Sequence, residues 1–165
     1  MASEECVVNI LDLFTRSKFG TRINDFQQTV EAWMLVLHPL DDGVVMEAAV
    51  TLARNDSDFV PSAGAVFQAA LDLLDTEPGG DEAWTQVLKY SKSASLRENN
   101  PVKISARVAE ALRLMGGNCG DWLVDDLPFR RWEFLDVYGR LEKTWRDQVA
   151  ALPAPEGRRM LTHGN

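Results

Sequence analysis

Residues 128–152, PFRRWEFLDVYGRLEKTWRDQVAAL, contain the longest helical pattern in the chain. Apolar residues recur there at steps of three and four, the spacing that places side chains on one face of an α-helix. This stripe consists of Phe134, Tyr138, Leu141, Trp145, Val149 and Leu152. Pro128 suits the first turn because proline lacks the N–H that a helix end leaves unpaired. We expect one long helix whose stripe, Trp145 included, packs into a core.

The segments before this helix share its periodicity, and prolines at 39, 61, 78 and 101 separate them. Helix starts are predicted at residues with capping side chains or at a proline: Ser3, Asn24 with Gln27 as a capping box, Asp41 or Asp42, Ser62, Asp81 and Pro101. Gly116-Gly117 ends the sixth helix, and the polar residues 91–100 predict a loop. Strand-like alternation never exceeds four residues. The sequence therefore predicts an all-α protein of about seven or eight helices.

Charge and turn chemistry predict two lobes. Residues 1–77 hold 13 acidic and 4 basic side chains, a charge of −9, whereas residues 78–165 hold 12 and 13, a charge of +1. The segment Thr76-Glu77-Pro78-Gly79-Gly80 has the composition of a linker or tight turn. We expect an acidic four-helix lobe over 1–77, a second helical lobe over 81–152, and a flexible tail over 153–165.

Composition bounds the class of protein. The chain has 165 residues, of which 45% are hydrophobic and 25% charged, and its net charge of −8 argues against coating duplex DNA. No apolar run approaches the roughly 20 residues needed to span a bilayer. We expect a cytoplasmic protein that does not bind membranes. Its two cysteines, Cys6 and Cys119, should be reduced and partly buried.

The residue types that carry catalysis are scattered along the chain. No Gly-Lys pair is present that could open a phosphate-binding loop. His38, His163, Cys6 and Cys119 stand singly, without the spacing of a metal site or a nucleophile–base pair. The sequence therefore predicts no enzyme, no cofactor and no metal.

A basic stretch over 89–113 offers one alternative function. It holds Lys89, Lys92, Arg97, Lys103, Arg107 and Arg113 against Glu98 and Glu110, with Tyr90 nearby. Basic groups beside an aromatic side chain are typical of a weak surface for single-stranded nucleic acid. A merely solvated basic face fits the same pattern, and the residues alone do not separate the two interpretations.

Several segments together resemble one phage protein family. In the first lobe the resemblance is carried by Trp33, by the Ala-rich third helix after a short acidic break, and by Phe59-Val60-Pro61-Ser62 at the start of the fourth. In the second lobe it is carried by Ala83-Trp84-Thr85-Gln86-Val87, by residues 111–117 with Trp122 after them, and by Phe134-Leu135-Asp136-Val137-Tyr138. Over about residues 5–150 the chain resembles the ATP-independent loaders of DnaB-type replicative helicases.

That resemblance implies a non-enzymatic adaptor in a bacterial host cell. Its partner would be a helicase hexamer of the phage or the host, loaded at a phage origin or inhibited when free, with an origin-binding or single-strand-binding protein as a further partner. The alternatives are a nucleic-acid-binding accessory of replication or packaging, and an inhibitor of another host enzyme.

The residues expected to contact a partner lie at the start of the long helix and in the tail: Phe129, Arg130, Arg131, Trp132, Arg158, Arg159 and Met160. Arginine and tryptophan most often dominate binding energy. Phe129 and Trp132 point away from the stripe, so they either pack on the turn around Trp122, which we favour, or form an exposed patch. In the second case Arg130 and Arg131 would face an acidic surface.

Overall fold

A computed structural model describes residues 1–17, 23–54, 60–96 and 102–152. Within these ranges the chain is all-α and contains no strand. Its helices are α1 (Glu4–Ser17), α2 (Phe26–Leu37), α3 (Asp42–Ala53), α4 (Ala63–Leu74), α5 (Gly80–Ser95), α6 (Ala106–Leu114) and α7 (Leu127–Ala150), with a short 3-10 helix over Val124–Asp126. The predicted tail, including Arg158, Arg159 and Met160, lies outside the described residues, as does Arg97.

The chain divides into two compact units. Unit 1 comprises residues 1–75 together with those from 149 onward, and unit 2 comprises residues 76–148. The division expected from the sequence gave all of 81–152 to the second lobe. In the structure the last residues of α7 group instead with the four N-terminal helices.

Unit 1 encloses a core built from one face of each of its first four helices. The ring of Phe14 on α1 lies 6.1 Å from the ring of Trp33 on α2, and Val45 and Val66 are fully buried on α3 and α4. The buried face of α3 ends before Leu52, which is partly exposed. On α4 Phe67 and Leu71 are buried, whereas Leu73 is exposed.

Side-chain caps start the helices of unit 1. The Ser3 hydroxyl accepts a bond from the Cys6 N–H at 3.1 Å, and the Ser62 hydroxyl accepts from the Ala65 N–H at 3.2 Å, as predicted. Of the two candidates at α3, Asp41 is the cap. Asn24 was wrong by one position: the Asp25 carboxylate accepts from the Gln28 N–H, so α2 begins at Phe26.

Helix α5 starts earlier and ends later than its pattern predicts. Its N-cap is Gly79, which makes no side-chain capping bond, so the assignment of Asp81 as the cap was wrong. The predicted loop over 91–100 was also wrong in its first half, since α5 continues to Ser95. The Ser91 hydroxyl donates to the Cys119 carbonyl at 2.6 Å, and Ser93 is buried. Polar residues are thus part of the packed face.

Helix α6 begins at Ala106 after the cap Ser105, five residues later than Pro101. The predicted start at Pro101 falls just outside the described residues, and residues 102–105 are not helical, so that start was wrong. The predicted end is confirmed. Gly116 and Gly117 have φ of 98° and 78°, and the Gly117 N–H donates to the Leu112 carbonyl at 2.8 Å. This is a Schellman motif, which glycine enters without strain.

Unit 2 packs α5, α6 and α7 around aromatic side chains. The Trp84 ring lies 5.7 Å from Phe134, and Phe134 lies 5.5 Å from Tyr138. The Tyr138 hydroxyl donates to the Pro78 carbonyl at 2.5 Å. The stripe prediction holds for Phe134 and Tyr138, and Leu141 packs against them. It was wrong for Trp145 and Val149, which are only partly buried, and for Leu152, which is 50% exposed.

Candidate partner-binding site

Two large aromatic side chains are exposed at the start of α7. Phe129 is 61% exposed and Trp132 is 67% exposed, and their ring centroids lie 6.4 Å apart. We call these two residues the aromatic pair. The favoured interpretation, in which they pack on the turn around Trp122, was wrong: the Trp122 ring is stacked on Trp84 at 6.1 Å.

The pair is exposed because of its place on the helix. Phe129 and Trp132 come five and two residues before Phe134, which at about 3.6 residues per turn puts them on the side opposite the buried face. The core of unit 2 is closed by Phe134 and Tyr138 without them. Exposed large aromatic groups of this kind indicate a binding surface more often than isolated aliphatic ones do.

The two arginines beside the pair are engaged within the chain. Arg131 pairs with Asp81 at 2.7 Å, and Arg130 pairs with Glu133 at 2.9 Å while its guanidinium lies 5.7 Å from the centre of the Trp122 ring. The expectation that both arginines face an acidic partner stays a prediction, and in the structure each is already paired with a carboxylate of this chain. They hold the first turns of α7 against α5 and Trp122.

The segment leading into α7 adds further exposed apolar groups and negative charge. Leu123 is 68% exposed and Val124 is 80% exposed. Asp125 and Asp126 are exposed as well and make no ion pair with any other side chain in the described ranges. The chain next to the aromatic pair therefore carries acidic charge that no side chain in the described ranges neutralises.

The basic stretch is only partly available as a surface. Lys89, Lys92 and Lys103 are exposed. Arg107, in contrast, lies over two rings of α7, with its guanidinium 5.5 Å from the centre of Tyr138 and 5.7 Å from that of Trp145. Arg113 forms a bidentate pair with Glu110, with both N···O distances at 2.7 Å. The described members of the predicted set are thus divided between exposed lysines and two arginines that make contacts within unit 2, of which Arg113 is itself exposed.

Both cysteines are free and buried, which agrees with the prediction of partly buried thiols. Burial, followed by the nearby charge of Asp42, raises the pKa of Cys6 to about 11, and burial also raises the pKa of Cys119. Thiols with raised pKa values are poor nucleophiles at neutral pH.

The described ranges contain no group of three or more His, Cys, Asp or Glu side chains placed to hold a metal ion. None of the helices in these ranges combines the length and the apolar composition that crossing a bilayer requires.

Comparisons with protein-family models, with curated proteins and with solved structures found no match. Sequence reasoning named the aromatic pair and both arginines but missed Leu123, Val124 and the Arg131–Asp81 bridge. The bridge joins residues 50 positions apart, and no local pattern indicates it.

Proposed function

We propose that this chain is a non-enzymatic adaptor that binds a DnaB-type replicative helicase through the aromatic pair. The observation that supports it is the exposure of Phe129 and Trp132 on a regular helix whose other face is packed. The choice of a helicase as the partner rests on the resemblance of residues 5–150 to phage helicase loaders. Loading at a phage origin, or inhibition of the free helicase, would be the consequence of that binding.

The rigidity of the site favours tight binding. Phe129 and Trp132 stand on a helix, and the pairs Arg131–Asp81 and Arg130–Glu133 fix its first turns. A side chain that is already ordered loses less conformational entropy when a partner covers it. Each exposed ion pair adds little stability by itself, so their main effect is on orientation.

Charge indicates what kind of helicase surface fits. Asp125 and Asp126 lie beside the pair without a cationic partner in the described part of the chain. A complementary surface would present an apolar pocket with lysine or arginine at its edge, because like charges across an interface are repelled. This reverses the polarity expected from the sequence, where Arg130 and Arg131 were to face an acidic partner.

Alanine substitution of the pair tests the proposal. We expect Trp132→Ala to weaken binding of the full chain to the host replicative helicase by about tenfold or more, since central aromatic groups typically contribute more than 1 kcal/mol. Calorimetric titration against the purified hexamer gives the affinity, and the melting temperature should stay within about two degrees of the wild type.

Phe26 supplies a matched control. It too is an exposed aromatic residue at the start of a helix, on α2 in unit 1. Phe26→Ala should leave helicase affinity unchanged. If the wild-type chain binds no replicative helicase, the proposed partner is wrong. If binding occurs but Trp132→Ala and Phe26→Ala behave alike, the proposed site is wrong.

A further inference from the structure

One face of α2 is exposed along three turns. The residues at positions 28, 31, 32, 35 and 36 recur at steps of three and one, which aligns them on one side of the helix, and all five are exposed. They are Gln28, Glu31, Ala32, Leu35 and Val36. Leu35 is 55% exposed and Val36 is 39% exposed. We call these five residues the α2 face; it is apolar near the C-terminal end and acidic one turn earlier.

The chain that follows α7 leaves from the apolar end of this face. The Leu152 carbonyl lies 3.3 Å from Nε2 of His38, and Nδ1 of the same ring lies 2.8 Å from the Leu35 carbonyl. The His38 ring therefore holds the last described residue next to the end of α2.

The sequence after Leu152 complements the α2 face in charge and apolar character. Residues 153–165 read PAPEGRRMLTHGN, with Arg158 and Arg159 directly before Met160 and Leu161. Glu31 is exposed and makes no ion pair with another side chain in the described ranges. Met160 and Leu161 match Leu35 and Val36 as apolar groups.

The length of the connection permits this docking. Arg158 lies six positions after Leu152, and an extended chain of that length reaches about 20 Å. The distance along α2 from His38 back to Glu31 is about 10 Å, at a rise of 1.5 Å per residue. Pro153, Pro155 and Gly157 are residue types that favour the required change of direction.

We propose that residues 158–161 dock on the α2 face of their own chain, with Arg158 and Arg159 beside Glu31 and with Met160 and Leu161 against Leu35 and Val36. The tether provides an effective concentration on the order of a millimolar, so weak contacts suffice. This proposal does not rest on the helicase. The sequence assigned Arg158 and Arg159 to a partner. In this proposal they contact a surface of unit 1 in their own chain instead.

Disulfide trapping in the full chain tests the docking. Leu35→Cys with Met160→Cys should cross-link within one chain under mild oxidation at about micromolar protein, where the tether outcompetes other chains. Leu73→Cys with Met160→Cys is the matched control, because Leu73 is an exposed leucine on α4 of the same unit. Both native thiols are buried and compete little. Equal cross-linking rates for the two pairs would refute the proposal.

Charge-reversal substitutions test the proposed pairing of Glu31 with Arg158 and Arg159. In the Leu35→Cys, Met160→Cys background, Glu31→Arg should slow cross-linking by about two- to fivefold, the range that exposed ion pairs provide. Adding Arg158→Glu and Arg159→Glu should restore the rate, whereas Glu47→Arg on α3 should not change it. An unchanged rate with Glu31→Arg contradicts the assigned pairing. Cross-links between isotopically labelled and unlabelled chains would instead mean that the occupant belongs to a second copy.

Discussion

The hydroxyl of Ser3 joins two helices of unit 1 through a single oxygen atom. It accepts from the Cys6 N–H at the start of α1 and donates to a carboxylate oxygen of Asp42 at 2.8 Å. Burial works against the charge of Asp42, but the Ser3 N–H and hydroxyl bonds outweigh it and lower the pKa of this carboxyl. The Cys6 thiol in turn donates to the Asp42 carbonyl at 3.6 Å.

The Cys6 thiol predicts a loss of stability in alkaline solution. Its pKa is about 11 in the folded chain against an ordinary value of 9.0. Below pH 9 both states hold the proton, so the folded state keeps its full advantage. Between pH 9 and 11 the unfolded state gains by releasing the proton, and the free energy of unfolding falls by on the order of 2–3 kcal/mol.

Urea denaturation of the wild type and Cys6→Ala at pH 8, 9.5 and 11 measures this loss. The difference in unfolding free energy between the two proteins should shift in favour of Cys6→Ala as the pH rises. Tyrosine and lysine titrations are common to both proteins and cancel. A difference that stays constant across the three pH values would show that the thiol titrates normally.

At the scale of the element, α7 shows what the spacing of apolar residues can and cannot predict about burial. The three-and-four spacing predicted the helix and the burial of Phe134 and Tyr138 correctly. Trp145 continues the same spacing yet is only partly buried, with the Arg107 guanidinium covering part of its ring. The pattern gives the direction in which a side chain points, whereas the depth of burial depends on where the neighbouring helices end.

Other errors share this origin in long-range contacts. Helix α5 extends through polar residues because Ser91 bonds to a carbonyl 28 positions away. The aromatic pair was recognised from helical spacing alone, but its exposure depended on Trp122 being stacked on Trp84 instead. Helix caps and helical periodicity could therefore be predicted from the sequence, whereas contacts between residues far apart in the chain could not.

The burial difference predicts unequal costs for two substitutions on α7. Phe134→Ala should destabilise unit 2 by about 3–5 kcal/mol, as for other fully buried aromatic residues. Trp145→Ala should cost about 1–2 kcal/mol, because it removes a partly exposed ring and its contact with Arg107. Chemical denaturation monitored by circular dichroism gives both values. A larger cost for Trp145→Ala than for Phe134→Ala would contradict the assigned core.

At the scale of the whole molecule, the net charge bears most directly on whether the protein can bind nucleic acid. The net charge is −8, and the exposed lysines of the basic stretch, Lys89, Lys92 and Lys103, are few against it. Neutralising phosphates requires a concentration of cations. In the described part of the chain Arg107 lies over two aromatic rings and Arg113 is paired with Glu110, so both are less available for such contacts.

We therefore expect only weak binding to single-stranded DNA, with a dissociation constant of about 10⁻⁴ M or above at physiological salt. Fluorescence anisotropy with a labelled oligonucleotide measures it, and Lys89→Ala with Lys92→Ala and Lys103→Ala is the comparison variant. Binding tighter than about 10⁻⁶ M that this variant abolishes would support the nucleic-acid alternative over the adaptor.

The grouping of residues 149–152 with unit 1 makes unit 2 an insertion within it. The 3.3 Å contact between Nε2 of His38 and the Leu152 carbonyl spans 114 positions, with all of unit 2 between its ends. During synthesis α1–α4 emerge first, and this contact forms only after the entire insertion has been translated. Long-range closures of this kind slow folding more than they affect stability. The newly made chain thus assembles unit 1 in two stages. Helices α1–α4 pack first, and residues 149–152 join them only after unit 2 has been made.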